Sequence, residues 1–457
     1  MTIPGLTHDS SLLIFALIAV IGLITLIAWL KMSSFVALIL ASLFVGLCSG
    51  MSLGEIGKGF QEGVGKVLGD IAMIVGLGTL LGKLLAESGG AEVVAQTLIA
   101  SLGEKRLAWA MLFVAFVVGI PVWFAVGLVL LVPILFTVAR RTRTPLLRLG
   151  IPLAAGLSVT HGLVPPHPGP MVAIGVLNGN VGTTILYSLL VGLPTAIIAG
   201  PLCARWLAGH QQVDLAGGPA SQLTGHTATR RPGFALTVFT ILLPVALMLL
   251  ATAADVSLAK QDPLRQWMDF IGHPLTAMTV AFLFSCWSFG FARGFSKETL
   301  LKFANECLGP VAAILLIVGA GGGFNRILIL SGVGNGIAAM VKDSSISPLL
   351  LGWVVAALIR VATGSATVAV TAAAGILAPI VAVKPATNVE LLVVAMGAGS
   401  LVLSHVNDGG FWFVKEYFNL SVPQTLRSWT VLETIVSFLA LILTLLLNWI
   451  VQAAKGV

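Results

Sequence analysis

A chain of 457 residues that is 57% hydrophobic and only 9% charged has too little polar surface to cover a water-soluble globule, where about 25% charged residues is usual. Its formal charge of +7 is spread over short basic clusters between apolar runs, which is a membrane-topology signal and not a nucleic-acid footprint. The four cysteines lack CxxC spacing and read as packing residues, which excludes a disulfide framework.

Met1 to Ser11 carries no Lys or Arg, so the first apolar run, Leu12 to Leu30, is expected as a retained span rather than a cleaved leader. Phe35 to Gly50 is a second span. Met51 to Lys66 is polar and Gly-rich, and a loop or interfacial stretch is expected there. The run Asp70 to Leu85 contains Gly76, Gly78 and Gly82, whose spacing is not a dinucleotide fingerprint; close helix packing or a hairpin tip is the better reading. Leu107 to Ala139 is too long for one crossing, and Gly119-Ile120-Pro121 or Gly127 offers the break.

After Arg140, Arg141, Arg143 and Arg148, a span from Leu149 runs into Thr160-His161-Gly162-Leu163-Val164-Pro165-Pro166-His167-Pro168-Gly169-Pro170. So many prolines exclude a continuous helix. At membrane depth, irregular backbone persists only where protein buries it or where it lines a watery cavity, so this stretch is either a loop between spans or a binding site. A span from Thr183 to Leu207 follows, then a linker and the spans Phe234 to Ala254 and Pro274 to Phe291 around a charged loop, Asp255 to Asp269.

The first half then begins again. Gly76, Gly78, Lys83, Ser88 and Gly89 match Gly319, Gly321, Arg326, Ser331 and Gly332 at one constant offset. The overlong run Pro348 to Ile380 is interrupted at Thr363-Gly364-Ser365, and Ser404-His405-Val406-Asn407-Asp408-Gly409-Gly410 stands opposite the Pro/His stretch in repeat order. Interrupted segments in corresponding positions of two halves point to a transporter site. With Lys31, Arg140 to Arg148, Arg205, Arg230-Arg231 and Arg293 to Lys302 all cytoplasmic, the halves are inverted and both termini lie outside. The expected domains are 1–208, a cytoplasmic linker 209–233, and 234–457.

Asp408 lies among apolar residues, where a carboxylate is costly unless hydrated, paired or protonated, so it is a candidate for proton binding or a membrane-edge residue. His161, His167 and His405 titrate near neutral pH but equally serve as hydrogen-bonded structural residues. Arg360 could pair a substrate carboxylate or snorkel to the interface. Thr363, Gly364, Ser365 and Thr367 offer hydroxyls and a half-helix N-terminus for an anion. Three or four ligands in a compact set are missing, so no metal is expected, and no other cofactor.

These motifs resemble the gluconate permease family, sugar-acid/proton symporters of the ion transporter superfamily. The resemblance rests on Gly156 through Pro170, on Arg360-Val361-Ala362-Thr363-Gly364-Ser365-Ala366-Thr367-Val368-Ala369, and on Gly397 through Asp408 continuing to Phe418. It implies an all-α polytopic membrane protein of two inverted repeats with broken helices and re-entrant hairpins. It further implies a homodimer in the bacterial inner membrane with an elevator-type motion, driven by protons. One position departs: where the family carries an acid in a Phe-Phe-acid-Val-Gly pattern, this chain reads Trp123-Phe124-Ala125-Val126-Gly127, which bears on proton coupling and on substrate.

The resulting expectation is a secondary active transporter for gluconate or a related sugar acid, and not an enzyme. Arg360 and the breaks at Pro165-Pro166 and Gly364-Ser365 would hold the carboxylate. Thr160, Ser365, Thr367 and Asn407 would bond hydroxyls, His167, Thr363 and Ser404 would complete the site, and Asp408, His161 or His405 would carry the proton. Alternatives are a permease for D-serine, glycerate or a keto sugar acid, a channel, and an intramembrane hydrolase, for which neither HExxH nor GxSxG is present.

Overall fold

The computed structural model describes residues 3, 7–208, 230–259, 261–333, 346–405 and 408–455, and all their regular structure is helical. The first half comprises α1 (His8–Ala28), α2 (Ser34–Cys48), α3 (Leu53–Glu87), α4 (Gly90–Leu102), α5 (Leu107–Gly119), α6 (Phe124–Thr142), α7 (Leu146–Leu163), α8 (Pro168–Leu177), α9 (Val181–Ile197) and a short α10 (Ala204–Ala208). The second comprises α11 (Phe234–Ser257), α12 (Pro263–Gly272), α13 (Pro274–Ser285), α14 (Lys297–Leu330), α15 (Pro348–Thr363), α16 (Ala366–Val383), α17 (Val389–Gly399), α18 (Gly409–Tyr417), α19 (Val422–Thr425) and α20 (Val431–Lys455). Among the described residues, 8 helical stretches are long and apolar enough to cross a bilayer. The protein is therefore a multi-pass membrane protein. Residues 209–229 of the expected linker lie outside the described residues, as does Asn407.

The repeat is visible in matching turns. Ser88 and Ser331 each end a long helix and each donate their hydroxyl back to a carbonyl three residues earlier, at 3.1 Å in both cases. Gly89 and Gly332 then take positive φ, 73° and 76°, a conformation glycine reaches without Cβ strain. The series α3, α5, α6, α7 and α8 recurs as α14, α15, α16, α17 and α18, with breaks after α5 and α7 in the first half and after α15 and α17 in the second.

Orientation follows from how the repeat-equivalent helices α3 and α14 touch. Gly319 faces Val64 and Leu68, whereas Gly323 faces Phe60, so numbers rise along one helix as they fall along the other. Equivalent helices that run antiparallel belong to inverted copies. Gly63 and Gly322 meet at the crossing, where a Cβ on either would overlap the carbonyl oxygen of the other. The ends carry reciprocal ion pairs, Lys83 with Glu306 at 3.1 Å and Arg326 with Glu62 at 3.0 Å.

The halves interlock rather than sit apart. One core gathers α5, α7, α8, α9, α17 and α20, with Leu157, Val172, Leu392 and Val436 fully buried; a smaller one gathers α1, α2 and α14 around Phe324. At the centre α7 crosses α17, and a Cβ on Gly397 would press into the Gly162 carbonyl oxygen. That contact sets the two breaks beside each other.

Two segments, one expected as a loop or interfacial stretch and one as a loop, are helical. Of Met51 to Lys66, everything from Leu53 on forms the start of α3, capped reciprocally by Ser52 and Glu55. Its glycines cost about 1 kcal/mol each as helix formers, but Gly59 and Gly63 let α14 approach, and that packing outweighs propensity. Within Asp255 to Asp269, Asp262 caps α12 by accepting from the Leu264 N–H at 2.8 Å. Leu264, Trp267 and Phe270 are exposed on α12, as in a helix lying at a membrane surface. Gly76, Gly78 and Gly82 lie inside α3, with Gly78 against Met278 and Gly82 against Pro121, so the helix-packing reading holds. Gly127 lies inside α6 and the break falls at 120–123.

The crossing gives a stability prediction. Gly63→Val should lower the melting temperature of the detergent-purified protein, at a cost of about 1–3 kcal/mol from overpacking. Gly57→Ala, where a Cβ meets nothing within 4 Å, should leave it unchanged or raise it slightly.

Candidate functional site

Each of the four breaks ends where a helix begins, and the beginnings converge. A cavity of about 350 Å³ is lined by Trp123, Phe124 and Ala125 at the start of α6, Pro168 at the start of α8, Gly364 to Thr367 at the start of α16, and Gly409 and Gly410 at the start of α18. A helix N-terminus leaves N–H groups without intrahelical acceptors and carries partial positive charge. The starts of α6 and α16 offer first-turn N–H groups to an anion, whereas α8 opens on Pro168-Gly169-Pro170, whose prolines have none, and the Asp408 carboxylate already sits on the start of α18. Neither α6 nor α8 has a side-chain cap, whereas Ser365 caps Val368 on α16 and Asp408 caps Gly410 on α18.

Arg360, in the last turn of α15, enters the same cavity and is only 4% exposed. Its Nη2 pairs with Asp408 Oδ2, which also accepts from the Ser404 hydroxyl, while Oδ1 accepts from the Gly410 N–H at 2.8 Å. Trp429 Nε1 donates to Ser404 Oγ at 2.7 Å, and Thr430 donates to the Ser404 carbonyl. The break after α17 is thus held by side chains of the following membrane segment, as hydrocarbon requires. Arg360 Nε has no partner among the described residues. One guanidinium edge is committed to Asp408.

The Pro/His stretch is built differently. Its Pro165-Pro166 peptide is cis, and His167 caps nothing on its own helix. Instead buried His167 places Nε2 at 2.7 Å from the Gly119 carbonyl oxygen, which the end of α5 leaves free. The Nε2–H therefore donates, and one break is tied to the other. His161 stands beside it, ring centroids 5.1 Å apart, with Nδ1 unpartnered among the described residues.

Of the residues proposed from sequence, His161, Arg360, Gly364, Ser365, Thr367 and Asp408 line the cavity. Others are engaged elsewhere. Thr160 is fully buried, its hydroxyl back-bonded to Gly156 and Leu157 at 3.0 Å. Thr363 bonds Ile359 at 2.8 Å, and His405 Nδ1 lies 2.8 Å from the Leu403 carbonyl. Pro165, Pro166, His167 and Ser404 support the lining without forming it. Sequence reasoning missed Trp123, Ser158, Trp429 and Glu433, all on the cavity wall. Glu433 had a readable signal, as the one acidic residue between Arg427 and Lys455.

A larger cavity of about 590 Å³ lies at the other ends of two of these helices, lined by Gly175 to Asn178 from the C-terminal side of α8 and Ala378 to Val383 from that of α16. Helix C-termini oppose an anion. Its Arg326 and Glu62 pair with each other.

The buried pair supplies a prediction. Arg360→Met strands Asp408 without its cation and should destabilise the purified protein by about 3–5 kcal/mol, whereas Arg360→Met with Asp408→Leu should recover most of the loss. Thermal melts of the two variants check this.

Residues 11–450 match the family model described as GntP family permease, and the chain belongs to that family. It is 51% identical over 449 residues to the gluconate permease of Pseudomonas aeruginosa, covering 97% of this chain and 99% of that one. It is 43% identical to the high-affinity gluconate transporter of Escherichia coli, covering 96% and 100%. Its fold is similar to that of the YdaH transporter of Alcanivorax borkumensis, with a TM-score of 0.63 at 17% identity over 92% of this chain and 98% of that one.

Proposed function

We propose that this GntP family permease takes up gluconate or a closely related sugar acid together with protons, as a secondary active transporter of the bacterial inner membrane working as a homodimer. The observation that carries the reading is the cavity where the first turns of α6, α8, α16 and α18 meet Arg360.

A monocarboxylate fits that chemistry. Its carboxylate accepts from the Arg360 guanidinium and from the first-turn N–H groups of α6 and α16. Hydroxyls on the carbon chain find Ser365 and Thr367, with Trp123 and Trp429 closing the walls. The proton is bound in the same cavity, where Asp408 and His161 are the candidates named from sequence. The cavities at opposite ends of α8 and α16 suit a carrier that exposes one site alternately to two sides.

In proteoliposomes, labelled gluconate should accumulate when an inward proton gradient is imposed and leak back when a protonophore collapses it. Excess unlabelled gluconate should compete better than D-serine, glycerate or a keto sugar acid. Accumulation indifferent to the gradient removes proton coupling, and stronger competition by D-serine reassigns the substrate. Thr367→Ala should raise KM by roughly threefold to tenfold, the worth of one hydrogen bond.

A further inference from the structure

Glu433 has no part in the reading above. It stands near the start of α20, is 1% exposed, and faces the cavity that holds Arg360 and Asp408. The Ser158 hydroxyl hydrogen-bonds it, and its Oε1 has no partner among the described residues. A buried carboxyl is ordinarily paired or fully hydrogen-bonded. This one is neither, because the guanidinium that could match it is already matched by Asp408.

The charges on the cavity wall decide what such a group can do. Arg360 and Asp408 cancel, which leaves Glu433 as the unmatched acid, and a bound substrate adds a second negative charge to the same small space. Two uncompensated anions at short range in a poorly solvated cavity repel strongly. Binding a proton on Glu433 removes one of them, so anion and proton bind with positive coupling, and each raises the affinity for the other.

Competing groups serve less well. Asp408 already accepts from Arg360, Ser404 and the Gly410 N–H, and a proton on it would disrupt that cap. A proton on His161 would add a cation and leave the Glu433 carboxylate charged in the same cavity, whereas a proton on Glu433 leaves no unmatched charge there. Ala125, on the wall with Glu433, is uncharged, and α9 and α17, which pack against α20, bring no titratable group to the lining. We propose that Glu433 is the proton-binding residue of the transport cycle, taking up a proton with the substrate anion on one side and releasing both on the other. The inference rests on the proton-coupled sugar-acid reading.

The test uses the full chain in proteoliposomes. In wild type, an imposed proton gradient drives accumulation of labelled gluconate, and gluconate exchange without a gradient varies with pH. In Glu433→Gln, gradient-driven accumulation should fall by roughly tenfold or more while exchange falls much less and loses its pH dependence. Glu433→Gln accumulating like wild type overturns the proposal, and so does His161→Gln uncoupling while Glu433→Gln stays coupled. A wild type that exchanges gluconate but ignores the gradient instead defeats the symport reading beneath it. Should Glu433→Gln not fold, Ser158→Ala, which removes the hydroxyl on the carboxyl, should displace the midpoint of the pH profile by roughly half to one unit. An unmoved midpoint overturns the proposal.

Discussion

Hydrocarbon offers no hydrogen bonds, so a helix interrupted within the membrane must find partners for its freed backbone inside the protein. The rest of the structure depends on how this chain meets that constraint. The carbonyl freed at the end of α5 is taken by His167, and the carbonyl of Ser404 by Thr430. First-turn donors of α6 and α16 are left facing a shared cavity. What would be a defect in one helix becomes, through convergence, a chamber that helix starts face, with Arg360, Asp408 and Glu433 on its wall.

Inversion explains why the breaks meet. Equivalent helices from the two halves touch through glycine, α3 antiparallel to α14 at Gly63 and Gly322, and α7 crossing α17 at Gly162 and Gly397. A break in one half is thereby carried to the matching break in the other. The helices α8 and α16 also run side by side from the smaller cavity to the larger, with Gly169 against Val370. Their N-termini face one chamber and their C-termini the other, which gives the carrier electrostatically unlike ends.

Much of this was legible in the sequence because prolines and glycines mark interrupted helices by mechanism. The four breaks fall where Gly119-Ile120-Pro121, the Pro/His stretch, Thr363-Gly364-Ser365 and the segment before Gly409 pointed. The start of α3 was illegible because its glycines serve interhelical contact, which one chain's local propensity does not reveal. α12 was hidden because its charges read as a loop while its exposed Leu264, Trp267 and Phe270 suit a membrane surface. Side-chain direction was the hardest to read. Thr160 and His167 sit within the right motif but turn into the backbone, while Glu433 lies far along the chain and turns into the cavity.

The central claim is that the substrate anion rests where the helix starts meet Arg360. An experimental structure of the protein with gluconate bound tests it most directly. The account predicts the carboxylate against Arg360 and the first turns of α6 and α16, with hydroxyls toward Ser365 and Thr367. Gluconate found instead in the larger cavity, beside Lys66 and Arg326, would contradict it.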